Sequence, residues 1–434
     1  LHLLREDKDA FYLFVCNTGH TKGQLKPDNA DMSMVRDRKA AFSDVRIRGF
    51  AGCAETVTEL DPQTGKTFAA KAKQTDDGIE IATSLPALGS RIFVVPKKRS
   101  RKQLPQRQEF KTIRNTDLTG IWNIFLSENN CLVLDTPRCK IGNSGWRKKN
   151  NILHLDYAVR DALGIPRRGG QMVQPWARVK NKNPKKTTVK LEYIFDVKTM
   201  PSGDLFLGIE RPDTFTIVLN GSSVETDAES GWWCDRSLRK IPLNVSLLKK
   251  GTNKLLLTCD YTEDHPGLEI VYLLGSFGVN LKTTETSLVS LPAKLKIGDW
   301  CKQSLPFYAG SVTYTRTIRP KLSKKQHLFV NVPEYRGMAL RVLVNEKSAG
   351  IIAWEPNEVD ITDLIPGDGT PVDLRIEVLG HRRNSHGPLH LNERWPRWTG
   401  PHEFVTADER WQDTYNLVPC GLMASPKLIV KKHS

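Results

Sequence analysis

The 434-residue sequence predicts an all-β protein made of tandem antiparallel β-sandwich or jelly-roll domains, with no TIM barrel among its residues. Two observations predict this class. Helical periodicity is nearly absent, and short segments of alternating apolar and polar residues follow one another between Gly, Pro, Asn and Asp. Such alternation places one face of a strand on a core and the other in water, which is typical of stacked antiparallel sheets.

The predicted strands are spread over the whole chain. In TVKLEYIFDV (188–197) apolar residues alternate with polar ones from Val189 to Val197, which predicts a strand with one buried face. Other segments of this kind are AFYLFVCN (10–17), SRIFVVP (90–96), DLFLGIE (204–210), FTIVLNG (215–221), NKLLLTCDY (253–261), HLFVNV (327–332), ALRVLVNEKSAG (339–350) and PVDLRIEVLG (371–380).

Two breaks in this rhythm predict the domain limits. Residues 97–118 are charged and poor in large apolar side chains, and residues 281–296 are rich in Ser and Thr. Cutting there leaves units of a size typical of β-sandwiches. The predicted units are a β-sandwich over 1–100, a linker over 101–117, a jelly-roll-like β-sandwich over 118–282, and a galactose-binding-like jelly-roll with a C-terminal extension over 283–434.

The second and third units share one order of elements. In the second, a strand, a turn at Asn220-Gly221 and a second strand precede Gly251 and another strong strand. In the third, RVLVNEKSAG (341–350) opens the same order. Asn-Gly supplies the positive φ angles of a two-residue hairpin. The repeated order therefore predicts two sandwiches of related design.

The strong positive charge raises the question of a nucleic-acid partner, because the net charge is +16 and the isoelectric point is near 9.4. The densest basic run, KKRSRK (97–102), lies between strand-rich regions and is interpreted as a solvated linker rather than a nuclear signal. The interleaved aromatic and basic residues of a nucleic-acid-binding sheet are missing. No nucleic-acid partner is therefore predicted, and an acidic polysaccharide stays open as a partner for the basic surface.

Other features concern compartment and processing. No window approaches 18 uninterrupted apolar residues, so no membrane span is predicted. The eight cysteines have no CxxC spacing, which argues against a zinc ribbon, and at most one or two disulfides are expected, Cys131 and Cys139 being the nearest pair in sequence. Two N-x-S/T sites, at Asn220 and Asn244, are compatible with secretion. The chain opens at Leu1 without a signal-peptide pattern, so we expect it to begin inside a longer protein.

Four ordered blocks cover nearly the whole chain. They are LHLLREDKDAFYLFVCNTG (1–19); ELDPQTGK (59–66) with LPALGSRIFVV (85–95); SGWWCDRSLRKIPL (230–243) with EIVYLLGSFGV (269–279); and GDWCKQSLPFYAGSVTYTRTI (298–318) with AWEPNEVDIT (353–362), HRRNSHGP (381–388) and GPHEF to YNLVPCGL (400–422). Their order resembles the C-terminal region of α-L-rhamnosidases of glycoside hydrolase family 106. The strand order of the last two units is similar to the jelly-roll sugar-binding domain of family 2 glycoside hydrolases. The sequence departs from the family 106 pattern at Leu3-Leu4-Arg5, in place of an arginine pair, and at Leu60, in place of a tryptophan.

The resemblance implies that a catalytic TIM barrel lies N-terminal to Leu1, in the same precursor or in a companion chain. The predicted function is the accessory, carbohydrate-contacting C-terminal part of an α-L-rhamnosidase-like glycoside hydrolase that acts in polysaccharide degradation by hydrolysing O-glycosyl bonds. The implied location is secreted or cell-surface, with the periplasm left open. The alternative hypothesis is a stand-alone carbohydrate-binding or adhesin-like β-sandwich protein without enzymatic activity.

No catalytic residue is predicted in this chain itself. A glycosidase needs two carboxylates that flank one bond, and no stretch alternates strands and helices as a barrel that presents them would. The nucleophile, zinc and phosphate-loop motifs GxSxG, HExxH and the glycine loops are absent as well. No cofactor is predicted and no metal ligand is assigned, although a structural calcium of the jelly-roll kind stays open.

Carbohydrate sites place aromatic faces against sugar rings and planar polar groups on the hydroxyls. Adjacent Trp232 and Trp233 on a strand should face opposite sides, so at least one belongs to a core. Each cluster with this mixture is predicted either to contact sugar or to pack domains together, and sugar contact weighs most for the third, which lies on a Gly/Pro-broken loop. The clusters are Trp232, Trp233, Asp235 and Arg236; Trp300 and Tyr308 with Phe307; and Trp354, Arg382, Arg383, Asn384, His386, Trp395 and Trp398.

Overall fold

The computed structural model of the chain describes all residues except 20–39, 63, 99–102, 169–181, 229, 284, 394–399, 406 and 434. Strands dominate the described residues and pair almost entirely antiparallel, with no TIM barrel among them. The predicted all-β fold class is confirmed. None of the described helices is long and apolar enough to cross a membrane.

The first β-sandwich is built from the N-terminal residues. Its sheets have the orders β1-β2-β8-β4-β5 and β3-β7-β6, and both contribute to one core around Ile79, Ile81, Phe93 and Val95. The strands are β1 (His2–Glu6), β2 (Ala10–Cys16), β3 (Phe42–Gly49), β4 (Thr58–Leu60), β5 (Thr67–Ala69), β6 (Lys71–Thr75), β7 (Gly78–Leu85) and β8 (Ser90–Pro96).

The middle β-sandwich packs two sheets, β11-β20-β14-β18-β17 and β16-β15-β19-β13-β22-β21, and β12 also pairs with β13. Only β13 and β22 run parallel in these two sheets. Two strands precede this sandwich in the chain, β9 (Phe110–Asp117) and β10 (Ile121–Leu126). The strands of the middle sandwich are β11 (Asn130–Leu134), β12 (Arg138–Ile141), β13 (Lys186–Val197), β14 (Ser202–Glu210), β15 (Phe215–Leu219), β16 (Ser222–Val224), β17 (Trp232–Trp233), β18 (Asp235–Leu243), β19 (Gly251–Thr262), β20 (Val271–Ser276), β21 (Gly278–Lys282) and β22 (Glu285–Val289).

The strand predicted over 188–197 shows the expected two faces. Val189, Leu191, Tyr193, Phe195 and Val197 are all buried in the core of the middle sandwich, while their neighbours are more exposed. The long pairing of β13 with β19 runs from residue 186 to residue 197 without a shift of register. The alternation of apolar and polar residues predicted the buried face correctly. A shift of the strand register by one residue would turn these apolar side chains to the opposite face.

One helix, α1 (Ile152–Leu163), packs on the middle sandwich. Asn151 caps its first turn by accepting a hydrogen bond from the Leu153 amide at 3.0 Å, and Gly164 ends it in the left-handed conformation. Buried Asp156 ties the helix to the sheet, because its carboxylate accepts hydrogen bonds from the Tyr261 hydroxyl at 2.6 Å and the Leu268 amide at 2.9 Å.

The C-terminal β-sandwich packs the sheets β23-β10-β24-β30-β27-β28 and β29-β25-β32-β9, beside the short pair β26-β31. Its strands after β22 are β23 (Lys294–Lys296), β24 (Val312–Ile318), β25 (Gln326–Asn331), β26 (Tyr335–Arg336), β27 (Leu340–Val344), β28 (Lys347–Ile352), β29 (Glu358–Asp360), β30 (Val372–Val378), β31 (Gly421–Leu422) and β32 (Lys427–His433). The short helices are α2 (Arg383–His386), α3 (Pro401–Phe404) and single 3-10 turns at Pro212–Thr214, Val245–Leu247, Trp300–Lys302, Thr362–Leu364 and Asp408–Arg410.

The middle sandwich is inserted into the C-terminal one, which differs from the predicted limits. Strand β9 lies in the segment 101–117 that was predicted as a linker, and it pairs with β32. Strand β10 lies in the predicted second unit (118–282), yet it pairs with β23 and β24 of the third. The sequence hides β9 because it is an edge strand with almost every side chain exposed, so it has no apolar alternation.

The two repeated turns have the same geometry. Asn220 and Gly221 have φ of 51° and 91°, and Asn345 and Glu346 have φ of 46° and 69°. The side-chain oxygen of Asn220 accepts a hydrogen bond from the Lys254 amide at 2.9 Å, and that of Asn345 accepts one from the Asp373 amide at 2.8 Å. Each asparagine thus fastens its hairpin to the neighbouring strand, so the predicted hairpin turn at 220–221 is confirmed.

The eight cysteines are all free thiols. Cys131 and Cys139, the nearest pair in sequence, are both buried but lie on β11 and β12, in the two different sheets of the middle sandwich. No disulfide joins them.

We predict that Asn345→Ala lowers the free energy of unfolding by about 1–2 kcal/mol, because it removes the acceptor of the Asp373 amide and the residue that tolerates positive φ. Asn220→Ala should cost a similar amount. Asn345→Asp keeps the acceptor and should cost less. Urea unfolding followed by fluorescence measures these effects, with Ser223→Ala on exposed β16 as the control. Equal stability of Asn345→Ala and the control would contradict the prediction.

Candidate functional site

The first predicted cluster divides between core and surface. Trp233 is buried, with its ring centroid 5.0 Å from Tyr272 and 4.9 Å from His386. The guanidinium of Arg382 lies 5.5 Å from the Trp233 ring and forms a two-point ion pair with Glu128, one contact being 2.8 Å. Trp233, Arg382 and His386 therefore join the middle sandwich to the segment that follows β30.

The other members of that cluster lie at the surface. Trp232 is 51% exposed, on the opposite face of β17 from Trp233, as the sequence predicts for neighbours on a strand. Asp235 accepts hydrogen bonds from the Ser237 amide and hydroxyl, both at 2.8 Å, and Arg236 is exposed beside it.

Trp300 and Tyr308 belong to the core of the C-terminal sandwich. Both are almost completely buried, and their rings meet edge to face at 6.1 Å. The Tyr308 hydroxyl accepts a hydrogen bond from the Ser127 amide at 2.9 Å. Phe307, the preceding residue, is buried in the core of the middle sandwich instead. Residues 307 and 308 thus fasten two cores together and offer no surface to a ligand.

The segment 381–388 is also used mainly for packing. Asn384 is fully buried and makes a pair of hydrogen bonds with the backbone of Val418, at 2.8 and 2.9 Å. Burial lowers the pKa of Arg383, which lies on the same short helix α2. Trp395 and Trp398 lie outside the described residues.

Trp354 is the one described member of the third cluster that faces an open space. Its side chain is 46% exposed, on the loop that follows β28. Asn331 of β25 holds this loop, because its side-chain amide donates to the carbonyls of Pro356 at 3.1 Å and Asn357 at 3.2 Å. The Asn357 amide in turn donates to the Trp354 carbonyl at 3.1 Å. These hydrogen bonds therefore hold the loop that carries the Trp354 indole.

The Trp354 cleft lies between the first and the C-terminal sandwich and has a volume of about 490 Å³. A second aromatic side chain, Phe42, is also 46% exposed and lines it. We define the cleft by six of its lining residues, which are Phe42, Asp61, Ser90, Arg91, Arg107 and Trp354; Ser43, Ser84 and Glu355 add further polar groups to its wall.

The two arginines on the wall of the cleft form ion pairs with carboxylates. Glu59, which is buried behind the cleft, lies 3.4 Å from the Arg91 guanidinium and 3.0 Å from that of Arg107. Arg107 also approaches Asp61 at 3.4 Å and lies 4.7 Å from the Phe68 ring. Burial lowers the pKa of Arg91; the charge of Glu59 opposes this effect, and the charge of Arg107 adds to it. The wall thus presents fixed, mutually neutralised polar groups.

Three segments of the four ordered blocks meet at this cleft, although they are far apart in sequence. Asp61 comes from ELDPQTGK, Arg91 from LPALGSRIFVV and Trp354 from AWEPNEVDIT. Sequence reasoning named Trp354 but missed Phe42, Asp61, Arg91 and Arg107 as its neighbours. Asp61 and Arg91 lie in segments that carry the family resemblance, but Phe42 and Arg107 do not, and no periodicity in the sequence indicates that these residues meet.

No group of three or more His, Cys, Asp or Glu side chains that could hold a metal ion occurs among the described residues. The structural calcium considered from the sequence is therefore not located, and it stays a hypothesis.

Comparison with known proteins adds only distant likenesses. No family model and no curated protein matches the chain. A rhamnosidase from Novosphingobium sp. PP1Y is similar over 99% of this chain and 23% of its own, at 12% identity and a TM-score of 0.41. An anti-sigma factor domain-containing protein matches 58% of this chain and 90% of its own at 9% identity (TM-score 0.17), and a β-D-mannosidase from Dictyoglomus thermophilum matches 62% and 31% at 14% identity (TM-score 0.19). The chain spans less than a quarter of the length of that rhamnosidase. Likenesses this distant add no evidence for the function of the chain described here.

We predict that His386 makes the fold sensitive to acid. Burial, followed by the charge of Arg382, lowers the pKa of His386 from 6.5 to about 4, so the imidazole is neutral in the folded chain. The unfolded chain takes up this proton near pH 6.5, so the free energy of unfolding falls as the pH drops from 6.5 to 4. His386→Gln should reduce the slope of that decline by up to about 1.4 kcal/mol per pH unit.

Urea unfolding at a series of pH values measures the slope. Ser223→Ala, at an exposed position of β16 without a titratable group, is the control and should leave the slope as in the unmodified chain. A His386→Gln slope equal to that of the control would contradict the assignment of a neutral, buried imidazole.

Proposed function

We propose that this chain is the accessory, carbohydrate-contacting part of a secreted or cell-surface glycoside hydrolase of the α-L-rhamnosidase type. In this proposal the catalytic barrel is supplied elsewhere, by the same precursor or by a companion chain. The observation that carries the proposal is the Trp354 cleft, where exposed aromatic rings and fixed polar groups line one space between two sandwiches.

The cleft supplies the two kinds of contact that sugar binding requires. Trp354 and Phe42 expose apolar faces that can cover the C–H patches of a sugar ring. Ser90, Arg91 and Asp61 provide donors and acceptors at the wall for hydroxyl groups. Because the arginines are already paired with Glu59 and Asp61, the cleft suits a hydroxyl-rich ligand better than a strongly charged one.

The all-β architecture supports the view that catalysis takes place elsewhere. The proposal assigns the two catalytic carboxylates to a TIM barrel, which presents them from the ends of its strands. No TIM barrel occurs among the described residues, so the proposal places that barrel outside them.

We predict that Trp354→Ala weakens binding to carbohydrate by about tenfold or more, because it removes the larger aromatic face of the cleft. The full 434-residue chain is tested on an array of plant and bacterial polysaccharides that includes rhamnose-containing chains, and affinities are then measured by titration. Trp232→Ala is the matched control, since Trp232 is 51% exposed but lies outside the cleft. Loss of binding in both variants, or in neither, would contradict the assignment of the cleft.

We also predict that the 434-residue chain by itself does not hydrolyse an aryl α-L-rhamnoside. Release of the aryl group is followed by absorbance against a blank without protein. Turnover by the unmodified chain would refute the accessory role, and Trp354→Ala would then show whether the activity belongs to the cleft or to another part of the chain.

A further inference from the structure

Two cysteines that lie far apart in the sequence come together in the C-terminal sandwich. Cys301 belongs to the 3-10 turn Trp300–Lys302, and Cys420 comes directly before β31. The Trp300 amide donates a hydrogen bond to the Cys420 carbonyl at 2.9 Å. Asp299 also joins the two cysteines, because its Oδ1 accepts hydrogen bonds from the amides of Cys301 at 2.9 Å and Cys420 at 3.1 Å. These hydrogen bonds hold the two residues side by side.

The two thiols point toward the same place. The Val418 carbonyl oxygen lies 3.5 Å from the sulfur of Cys301 and 3.8 Å from that of Cys420. A disulfide requires two residues whose backbones are close and whose side chains point toward each other. The shared Asp299 oxygen supports the first condition, and the shared Val418 carbonyl supports the second.

The surroundings of the two sulfur atoms give them different protonation states. His381 Nε2 lies 3.1 Å from the Cys420 sulfur. Hydrogen bonds with Cys301 and His381 lower the pKa of the Cys420 thiol, and burial opposes them. The hydrogen bond with Cys420 raises the pKa of the Cys301 thiol, and burial raises it further. Cys420 is therefore the cysteine that holds the thiolate, which is the nucleophilic form of the side chain.

Cys301 is the more exposed cysteine of the pair. It is partly exposed, whereas Cys420 is buried. Cys301 also lines a cavity of about 350 Å³, together with Lys302, Ser304 and Pro419. A reagent that enters this cavity therefore meets Cys301, and the Cys420 thiolate lies behind it.

Two other pairs of cysteines are kept apart by the sheets of the middle sandwich. Cys139 on β12 and Cys259 on β19 are separated by β13, which pairs with both of these strands. Cys131 lies on β11, in the opposite sheet from Cys139. Cross-linking either pair would require a movement of strands, whereas Cys301 and Cys420 are already side by side.

We propose that Cys301 and Cys420 form a disulfide when the folded chain meets a small disulfide such as oxidised glutathione. This inference does not depend on the proposed carbohydrate role, although a secreted location would supply the oxidising conditions. The bridge would tie the turn Trp300–Lys302 to the segment that leads into β31.

The reaction takes place in two exchange steps. In the first, the Cys301 sulfur attacks the small disulfide while its proton passes to the Cys420 thiolate, so a mixed disulfide forms at Cys301 and one thiol leaves. In the second, the Cys420 sulfur attacks the Cys301 sulfur, the mixed disulfide breaks and the second thiol leaves. The cysteines lose two electrons, which reduce the small disulfide. Both protons, one from Cys301 and one shared by Cys420 and His381, end on the released thiols.

The test uses the full 434-residue chain in its folded state. The chain is reduced, freed of reductant and incubated with oxidised glutathione, and the remaining thiols are then alkylated. Protease digestion and mass spectrometry should find a peptide pair that joins Cys301 to Cys420, lighter by about 2 Da than the two reduced peptides together. The oxidised chain should also unfold at a temperature several degrees higher, because the bridge closes a long loop in the unfolded state.

Two variants separate the steps. In Cys420→Ala the second step is impossible, so Cys301 should stop at the mixed disulfide and carry one glutathione. Cys139→Ala is the matched control, since Cys139 is buried on β12, and it should form the same bridge as the unmodified chain.

The mapping of the unmodified chain decides the proposal even if a variant fails to fold. The proposal is overturned if Cys301 and Cys420 both remain open to alkylation after incubation. A bridge from either of them to another cysteine, or glutathione that stays on Cys301 while Cys420 is intact, would overturn it as well.

Discussion

The structure depends on the pairing of strands that are far apart in the sequence. Strands β9 and β10 belong to the C-terminal sandwich, but their partner strands follow in the sequence only after the whole middle sandwich. The contact of Ser127 with Tyr308 spans 181 residues, and that of Glu128 with Arg382 spans 254. Loop closure over such lengths is made easier when the intervening segment folds and brings its ends together. Phe307 and Tyr308, facing two different cores, then fix how the two sandwiches meet.

The distribution of charge separates the surface of this protein from its cavities. The chain as a whole carries +16, yet the Trp354 cleft is lined by arginines paired with Glu59 and Asp61. The net charge is thus a poor guide to the ligand of this cleft, since short-range pairing dominates within a cavity while the net charge acts over the outer surface.

Local features of this fold were predictable from the sequence, and non-local ones were not. Alternation identified the buried face of β13, and Asn220-Gly221 identified a hairpin, because both depend on neighbouring residues. The exposed edge strand β9 has no such pattern, so a linker was predicted in its place. Asp135 and His390 are 255 residues apart, and Trp354 meets Asp61 and Arg91 only through the packing of two sandwiches. No spacing rule reaches over such distances, so these contacts became visible only in three dimensions.

Strand β32 lies inside its sheet, between β25 and β9, so β9 forms the outer edge of the C-terminal sandwich. An edge strand has one row of backbone groups without a strand partner, and another chain can pair with it. Lys111 and Arg114 lie on β9, and charged side chains of this kind disfavour such pairing. The mostly polar composition that hid β9 from sequence reasoning is thus also the composition that protects a sheet edge from aggregation.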